Sequence, residues 1–225
     1  MNTVAQLPAT DFSEVHYSPL TESQLDEGAV SLQQRNRREA YLYFPSAMSA
    51  SLISPLLEAM LDTLSPHIEW SQELGTPVLR GEPFFESDPL WDELYPRIQA
   101  LEPLHGLFHS RQMQCLMQVV AGEHPFVYPM KMARIAAPKK LGFETPAHQD
   151  AHSHHTGPRM AGVWVGLHDA ESSMGRLAML PGSHRRGVRP VYQAQGVGGV
   201  QCVIYPDEQH WHVSDIRAGD VIIFQ

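Results

Sequence analysis

His148, Gln149 and Asp150 set an imidazole and a carboxylate two residues apart. In an extended chain successive side chains alternate between faces, so positions 148 and 150 share one face of a strand. Neutral imidazole and carboxylate make up two thirds of the 2-His-1-carboxylate triad, which holds Fe(II) in oxygenases and leaves coordination positions open. The tripeptide alone is weak: in a chain with 13 His, chance supplies an HxD about once in two such sequences. His152, His154 and His155 follow closely, giving four histidines between 148 and 155. Such a tract can bind metal itself or face the opening of a site. A further pair, His210 and His212, lies in QHWHV.

The elements that must position these groups change character along the chain. Residues 40–45 (AYLYFP) read as a short aromatic strand. Apolar residues then recur at helical spacing from Leu52 to Leu64, with Pro55 suited to a first turn. A second helix starts at Pro89, with Trp91, Leu94, Tyr95, Ile98 and Leu101 on one stripe, and a third runs over 109–120 and stops at Gly122. From Pro125 short strand-like runs follow at 127–136, 160–167, 176–180, 200–205 and 221–224. Glycine turns at 174–175, 181–182, 198–199 and 218–219 divide them. Helices first and many short strands after predict a helical layer on a β-sandwich or jelly roll. Residues 1–38 read as a loosely structured lead-in with a short helix. Residues 39–225 read as one domain: a mainly helical part over 39–124 and a β core over 125–225, incomplete at its C-terminal end.

Composition narrows the function classes. A 225-residue chain, 43% hydrophobic and 18% charged, is long enough for one buried core. The net charge of -9 is uneven: 16 acidic against 5 basic residues through His105, then 9 against 11. No Lys/Arg-rich run appears, which sets nucleic-acid binding aside. Arg159, Arg185, Arg186 and Arg189 sit in loop-like sequence and read as surface charge, although an anionic substrate would suit them too. Cys115 and Cys202 form neither a disulfide framework nor a CxxC site, and their apolar neighbours predict buried free thiols. The start shows no basic-then-apolar leader pattern and no stretch approaches a membrane span, so a cytoplasmic location without membrane contact is expected.

Several segments together resemble the phytanoyl-CoA dioxygenase family of Fe(II)/2-oxoglutarate-dependent oxygenases. They are TPAHQD at 145–150, GVWVGLHDAESSMGRLAMLPGSHRRG at 162–187, GDVIIF at 219–224, and AYLYFP followed by an amphipathic helix. The ordered combination of HQD, Trp and PGSH over most of 40–225 is specific, where each alone is not. The resemblance implies a mainly β fold, a double-stranded β-helix (jelly roll, cupin-like) with an N-terminal helical layer, holding Fe(II) and 2-oxoglutarate and using O2. It implies hydroxylation of a small organic molecule or acyl thioester with release of succinate and CO2. By the same resemblance His148 and Asp150 are iron ligands. Gln149 points to the other face or touches the co-substrate, Trp164 and Met132 line the 2-oxoglutarate site, and Arg97 falls near a basic residue that contacts it. The residues by themselves also allow plainer roles: Trp164 and Met132 as core, Arg97 as solvated helix surface, and His148 with Asp150 as a hydrogen-bonded pair. An aspartate at the carboxylate position leaves no vacancy for halide, which favours hydroxylation over halogenation. PGSH at 181–184 reads as a turn closing a hairpin.

One part of the pattern is missing. The family's third ligand is a histidine shortly after the strand that here ends at Phe224, and an arginine for the distal carboxylate of 2-oxoglutarate follows it. The sequence ends at Gln225. The leading expectation is that the natural protein continues. The alternatives are substitution by His212, beside His210; a non-catalytic ligand-binding relative of the same fold; or a cupin-like enzyme using another metal.

Overall fold

The computed structural model describes residues 15–81, 84, 88–129, 131–135, 144–154, 160–171 and 174–225. In chain order the elements are β1 (His16–Ser18), α1 (Ala29–Glu39), β2 (Tyr41–Phe44), α2 (Ala50–Leu64), β3 (Ile68–Ser71), β4 (Thr76–Leu79), α3 (Pro89–Gln99), α4 (Glu102–His109) and α5 (Arg111–Ala121). They continue with α6 (Ala151–His154), β5 (Gly162–Val165), β6 (Val191–Gln193), β7 (Val200–Cys202), β8 (His210–His212) and β9 (Val221–Phe224). His155, Arg159, residues 136–143 and the side chain of His154 lie outside the described residues.

A run of four apolar residues, VIIF, suits a strand buried on both faces. β9 takes that place, at the centre of an antiparallel sheet in the order β2-β9-β5. Leu42 pairs with Ile223 and Ile223 with Val163, while Tyr43 pairs with Ile222 and Ile222 with Trp164. Strand alternation then sorts the side chains. Leu42, Phe44, Val221, Ile223, Val163 and Val165 pack on the helical layer. Tyr41, Tyr43, Ile222, Trp164 and Phe224 pack on the opposite side with Leu20, Ile216 and Met179. The helices bury stripes at spacings of three and four: Ile53, Leu56, Met60 and Leu64 on α2, and Met113, Leu116 and Val120 on α5. Ser110 caps α5, its Oγ accepting from Met113 N at 3.2 Å, and Gly122 ends it in the left-handed region.

The turn before β9 fastens the sheet. Asp220 is 1% exposed. Its Oδ2 accepts from Tyr43 Oη at 2.7 Å and Arg217 N at 2.9 Å, and its Oδ1 accepts from Ser46 N at 2.8 Å. Burial, and then the Asp220 carboxylate beside it, push the Tyr43 phenol well above its usual range. Gly219, at φ 89°, has the Met48 carbonyl oxygen where a Cβ would stand, so no other residue fits there without a shift. Asp220→Asn turns an amide NH2 toward donors and is expected to cost on the order of 2 kcal/mol. That corresponds to roughly 4–8 °C in the thermal midpoint of a chain this size; an unchanged midpoint would remove Asp220 from the forces holding this corner.

Several expectations change. The described part of 127–136 forms no strand. Pro125 and Pro129 offer no N–H, and the Lys131 carbonyl is taken by Tyr95 Oη at 2.9 Å and by Gln99 Nε2 instead of a neighbouring strand. Over 176–180 only Met179 bridges, to His212. Pro55 falls in the second turn of α2, because the helix begins earlier at Ala50. Helix α4, the β3–β4 hairpin and the strands β1, β6 and β8 have no counterpart in the sequence reading. Residues 15–38, expected as loose, are docked: β1 pairs in parallel with β8, and Leu20 and Leu32 are buried. Cys202 is buried as expected, but Cys115 is exposed, off the inward stripe of α5. The architecture is mixed α and β: among the described residues the strands form one three-stranded sheet and three two-stranded pairs. No described helix is long and apolar enough to cross a membrane.

Candidate metal centre

His148 and Asp150 lie in no strand: the segment bends at Glu144 and Ala147 and turns at Asp150 into α6. Pro146 removes a donor that a ladder needs. Two main-chain bonds hold the segment instead: Cys202 N donates to Ala147 O at 2.7 Å, and Val197 N to Glu144 O at 3.0 Å. Positions 148 and 150 nevertheless present their polar atoms to each other.

His148 Nδ1 lies 2.8 Å from the Pro146 carbonyl. A carbonyl only accepts, so Nδ1 carries the proton and Nε2 keeps its lone pair. Metal-bound histidines are oriented in this way by a partner on the other ring nitrogen. Nε2 stands 3.4 Å from Asp150 Oδ1. That is longer than the roughly 2.7–3.2 Å of an N–H···O bond. It is close to the separation of about 3 Å that two adjacent ligands take at metal bond lengths of about 2.0–2.2 Å. The geometry therefore fits two donors of one divalent cation better than a direct hydrogen bond. The Asp150 carboxylate, assisted by the Pro146 carbonyl and opposed by burial, raises the His148 imidazole above its ordinary value. A cation held between them would require the neutral imidazole.

Other predicted residues sort differently. Gln149 uses both ends of its amide on main chain: Oε1 accepts from Arg189 N at 2.9 Å and Nε2 donates to Gly187 O at 3.2 Å. His152, on α6, has its Nε2 buried without a hydrogen-bond partner among the described residues. Trp164 is centred in β5 on the sheet face away from the helices. The Met132 sulfur accepts from Tyr95 Oη at 2.7 Å, which ties it to α3. Arg97, in the last turn of α3, is half exposed and sits 3.7 Å from Glu93, the solvated-face arrangement. Next to Met132, the side chain of Lys131 is buried and donates to the Tyr128 and Pro129 carbonyls at 3.2 Å; burial lowers its pKa. Nothing in MKMARI singled that lysine out. A cavity of about 600 Å³ lined by Ser23, Leu25, Phe44, Arg111, Cys115 and Leu116, among others, includes neither His148 nor Asp150.

His212 is not brought to the pair, and His210 stays beside it on β8. Among the described residues no three His, Cys, Asp or Glu side chains gather as a metal group. The alternative in which His212 replaces the missing ligand is therefore set aside, because β8 carries it to β1 and Tyr41. Tyr41 Oη accepts from Thr21 N at 2.9 Å and so gives its own proton to His212 Nδ1, 2.6 Å away. Burial, then the neighbouring His210, lowers the His212 pKa. A histidine lowered in the fold binds its proton first in the unfolded chain. Its contribution to stability is thus present above the unfolded value and lost as pH falls through it toward the folded one. Because the raised His148 acts in the opposite sense, the test is a comparison: His212→Gln should flatten the fall in thermal midpoint between about pH 7.5 and 5.5. Equal slopes in the two proteins would contradict this.

The PGSH turn has a different use from hairpin closure. Gly182 N donates to Glu39 O at 3.0 Å, His184 Nε2 lies 3.1 Å from Arg37 O, and Arg185 Nη2 donates to Arg38 O at 2.6 Å. These groups satisfy the carbonyls left open at the C-terminus of α1.

The family model described as phytanoyl-CoA dioxygenase (PhyH) matches residues 58–225. Phytanoyl-CoA dioxygenase domain-containing protein 1 of Bos taurus is 34% identical over 94 residues, 40% of this chain and 32% of that protein. Its Danio rerio counterpart is 30% identical over 112 residues, 48% of this chain and 38% of that one. The chain thus spans about a third of the length of the curated relatives it matches. Among solved structures, EvdO2 from Micromonospora carbonacea var. aurantiaca superposes with a TM-score of 0.53 at 16% identity, over 91% of this chain and 82% of that one. SnoN, a non-heme alpha ketoglutarate dependent epimerase from nogalamycin biosynthesis, gives 0.52 at 17% identity, over 88% and 73%. At these identities the likeness is one of fold. With a match over three quarters of its length, HQD and GDVIIF included, the chain belongs to the phytanoyl-CoA dioxygenase family.

Proposed function

We propose that the chain is the body of an Fe(II)- and 2-oxoglutarate-dependent dioxygenase with a jelly-roll core. It hydroxylates a small organic molecule or acyl thioester, releasing succinate and CO2. The observation that carries this is the meeting of His148 Nε2 and Asp150 Oδ1 at 3.4 Å, with Nδ1 tied to the Pro146 carbonyl, in a chain of this family. EvdO2 has been crystallised with 2-oxoglutarate, which supports the same co-substrate here.

His148 and Asp150 would hold the iron, and the Pro146 carbonyl fixes the imidazole tautomer that keeps Nε2 available. Bound iron would supply what side chains lack: open positions for 2-oxoglutarate and dioxygen, and a redox centre through which electrons from 2-oxoglutarate and the C–H bond reach dioxygen. Asp150 would also balance part of the cation's charge, and His148 would bind it as the neutral imidazole. Trp164 lines the co-substrate side from the sheet face it shares with Tyr41 and Tyr43. Arg97, paired with Glu93 at the surface, has no co-substrate role in this proposal. The two free thiols suit a cytoplasmic location.

The test is iron-dependent loss of 2-oxoglutarate with matching succinate, measured in air and again under argon. Turnover that needs both iron and oxygen is the expected result. Ligand binding without any turnover would favour a non-catalytic relative, and tight zinc or nickel without affinity for 2-oxoglutarate would favour another metal chemistry.

A further inference from the structure

The middle residue of the HQD motif uses both polar atoms of its side chain on main chain. Gln149 spans two main-chain groups of the 187–189 segment, accepting from Arg189 N and donating to Gly187 O. That segment has no freedom of its own. Arg189 is 3% exposed. Its guanidinium donates to Glu208 at 2.5 and 2.6 Å, to Val203 O at 3.0 Å and to Ser183 O at 2.9 Å, and it lies 5.3 Å from the centre of the Tyr205 ring. Glu208 is held in turn by Tyr205 N at 2.9 Å. One residue further, Pro190 O accepts from Val203 N at 3.0 Å, just beyond β7.

We infer that Gln149, anchored to the backbone that the buried Arg189–Glu208 pair holds rigid, is the positioning residue that sets the separation of His148 and Asp150. This rests on the iron reading above. Both donors flank Gln149 directly, so the backbone angles at 149 decide where Nε2 and Oδ1 stand relative to each other. A side chain tied at two points fixes those angles. A side chain tied at none leaves the two donors to rotate independently. Since both polar atoms of the amide are already used, Gln149 acts through its neighbours and not by touching the co-substrate.

The experiment uses Co(II) as a spectroscopically visible stand-in for Fe(II), titrated by calorimetry and visible absorption into the full chain. Gln149→Met fills a similar volume without polar contacts. It should bind Co(II) about 10–100-fold more weakly, the usual cost of losing an outer partner of a metal ligand, with an altered absorption band and a thermal midpoint changed by only a few degrees. Glu208→Gln, remote from the metal, should lower affinity by the same route. Added to Gln149→Met it should cost little more affinity, since both changes break one chain of contacts. Wild-type affinity and spectrum in Gln149→Met would overturn the inference and leave the iron reading intact. Failure of the wild-type chain to bind Co(II) would overturn the iron reading itself.

Discussion

Asp150→Ala should reduce iron-dependent succinate formation by more than about 100-fold while leaving the fold in place. Loss of a group one step removed from a metal typically costs about 10–100-fold, and loss of a direct ligand should exceed it. Among the described residues Asp150 supplies the carboxylate beside His148 Nε2. Without it the cation keeps one of these two donors and loses a compensating negative charge. The side chain is partly exposed and belongs to no core cluster, so the fold should tolerate the change. Asp150→Asn separates geometry from charge: the amide keeps the shape but binds a cation weakly, and it should lie near the alanine variant. Arg97→Ala is the contrasting control, because its guanidinium pairs with Glu93 at the surface; it should turn over like the wild type. The measurement is succinate formed per mole of bound iron. Full turnover in Asp150→Ala would remove the carboxylate from the site, and with it the reading of HQD as an iron motif.

The sequence points to the His148–Asp150 pair and hides the frame around it, for a physical reason. HQD, weak alone, stands out beside Trp164 and PGSH because ligand chemistry demands particular residue types at a fixed spacing. VIIF at 221–224 declares itself because a strand buried on both faces must be apolar throughout. The α5 boundaries follow from Ser110 and Gly122, whose cap roles are local. Strand β1 is different: HYS has no strand pattern and exists because β8 lies beside it. The run 127–136 looked like a strand by composition but lost its partner to side chains of α3. Arg189 shows the same limit at the site. In SHRRGVRP it cannot be told from Arg185 or Arg186, yet it alone of the three is buried. Its partner Glu208 lies 19 residues away, beyond any local pattern. Partners in space decide such residues, and single-chain periodicity carries no record of them.

Arg189→Ala should be the most destabilising single change away from the apolar core. It strips Glu208 of its bidentate partner and leaves a largely buried carboxylate together with the unmet Val203 and Ser183 carbonyls. Removing one member of a buried ion pair costs about 3–5 kcal/mol, or roughly 6–20 °C in thermal midpoint at this chain length. Arg186 is the comparison. It reaches Asp207 and Glu208 from the surface and lies 4.6 Å from the centre of the Tyr205 ring, and exposed pairs contribute about 0–1 kcal/mol. Arg186→Ala should therefore shift the midpoint by only a few degrees. Acid gives an independent check. Burial works to raise the Glu208 carboxyl, but the bonds from Arg189 and Tyr205 N outweigh it and hold the group below its usual value. A carboxyl lowered in the fold stabilises above its unfolded value, and that stabilisation is lost as pH falls through the folded one. The gap between wild type and Arg189→Ala should accordingly narrow below about pH 4.5. The double change Arg189→Met with Glu208→Leu removes both charges and should recover most of the loss, since well-packed apolar pairs often match the ion pairs they replace. A double variant as unstable as Arg189→Ala would place the stabilisation in the carbonyl contacts of Arg189, not in its charge pairing with Glu208.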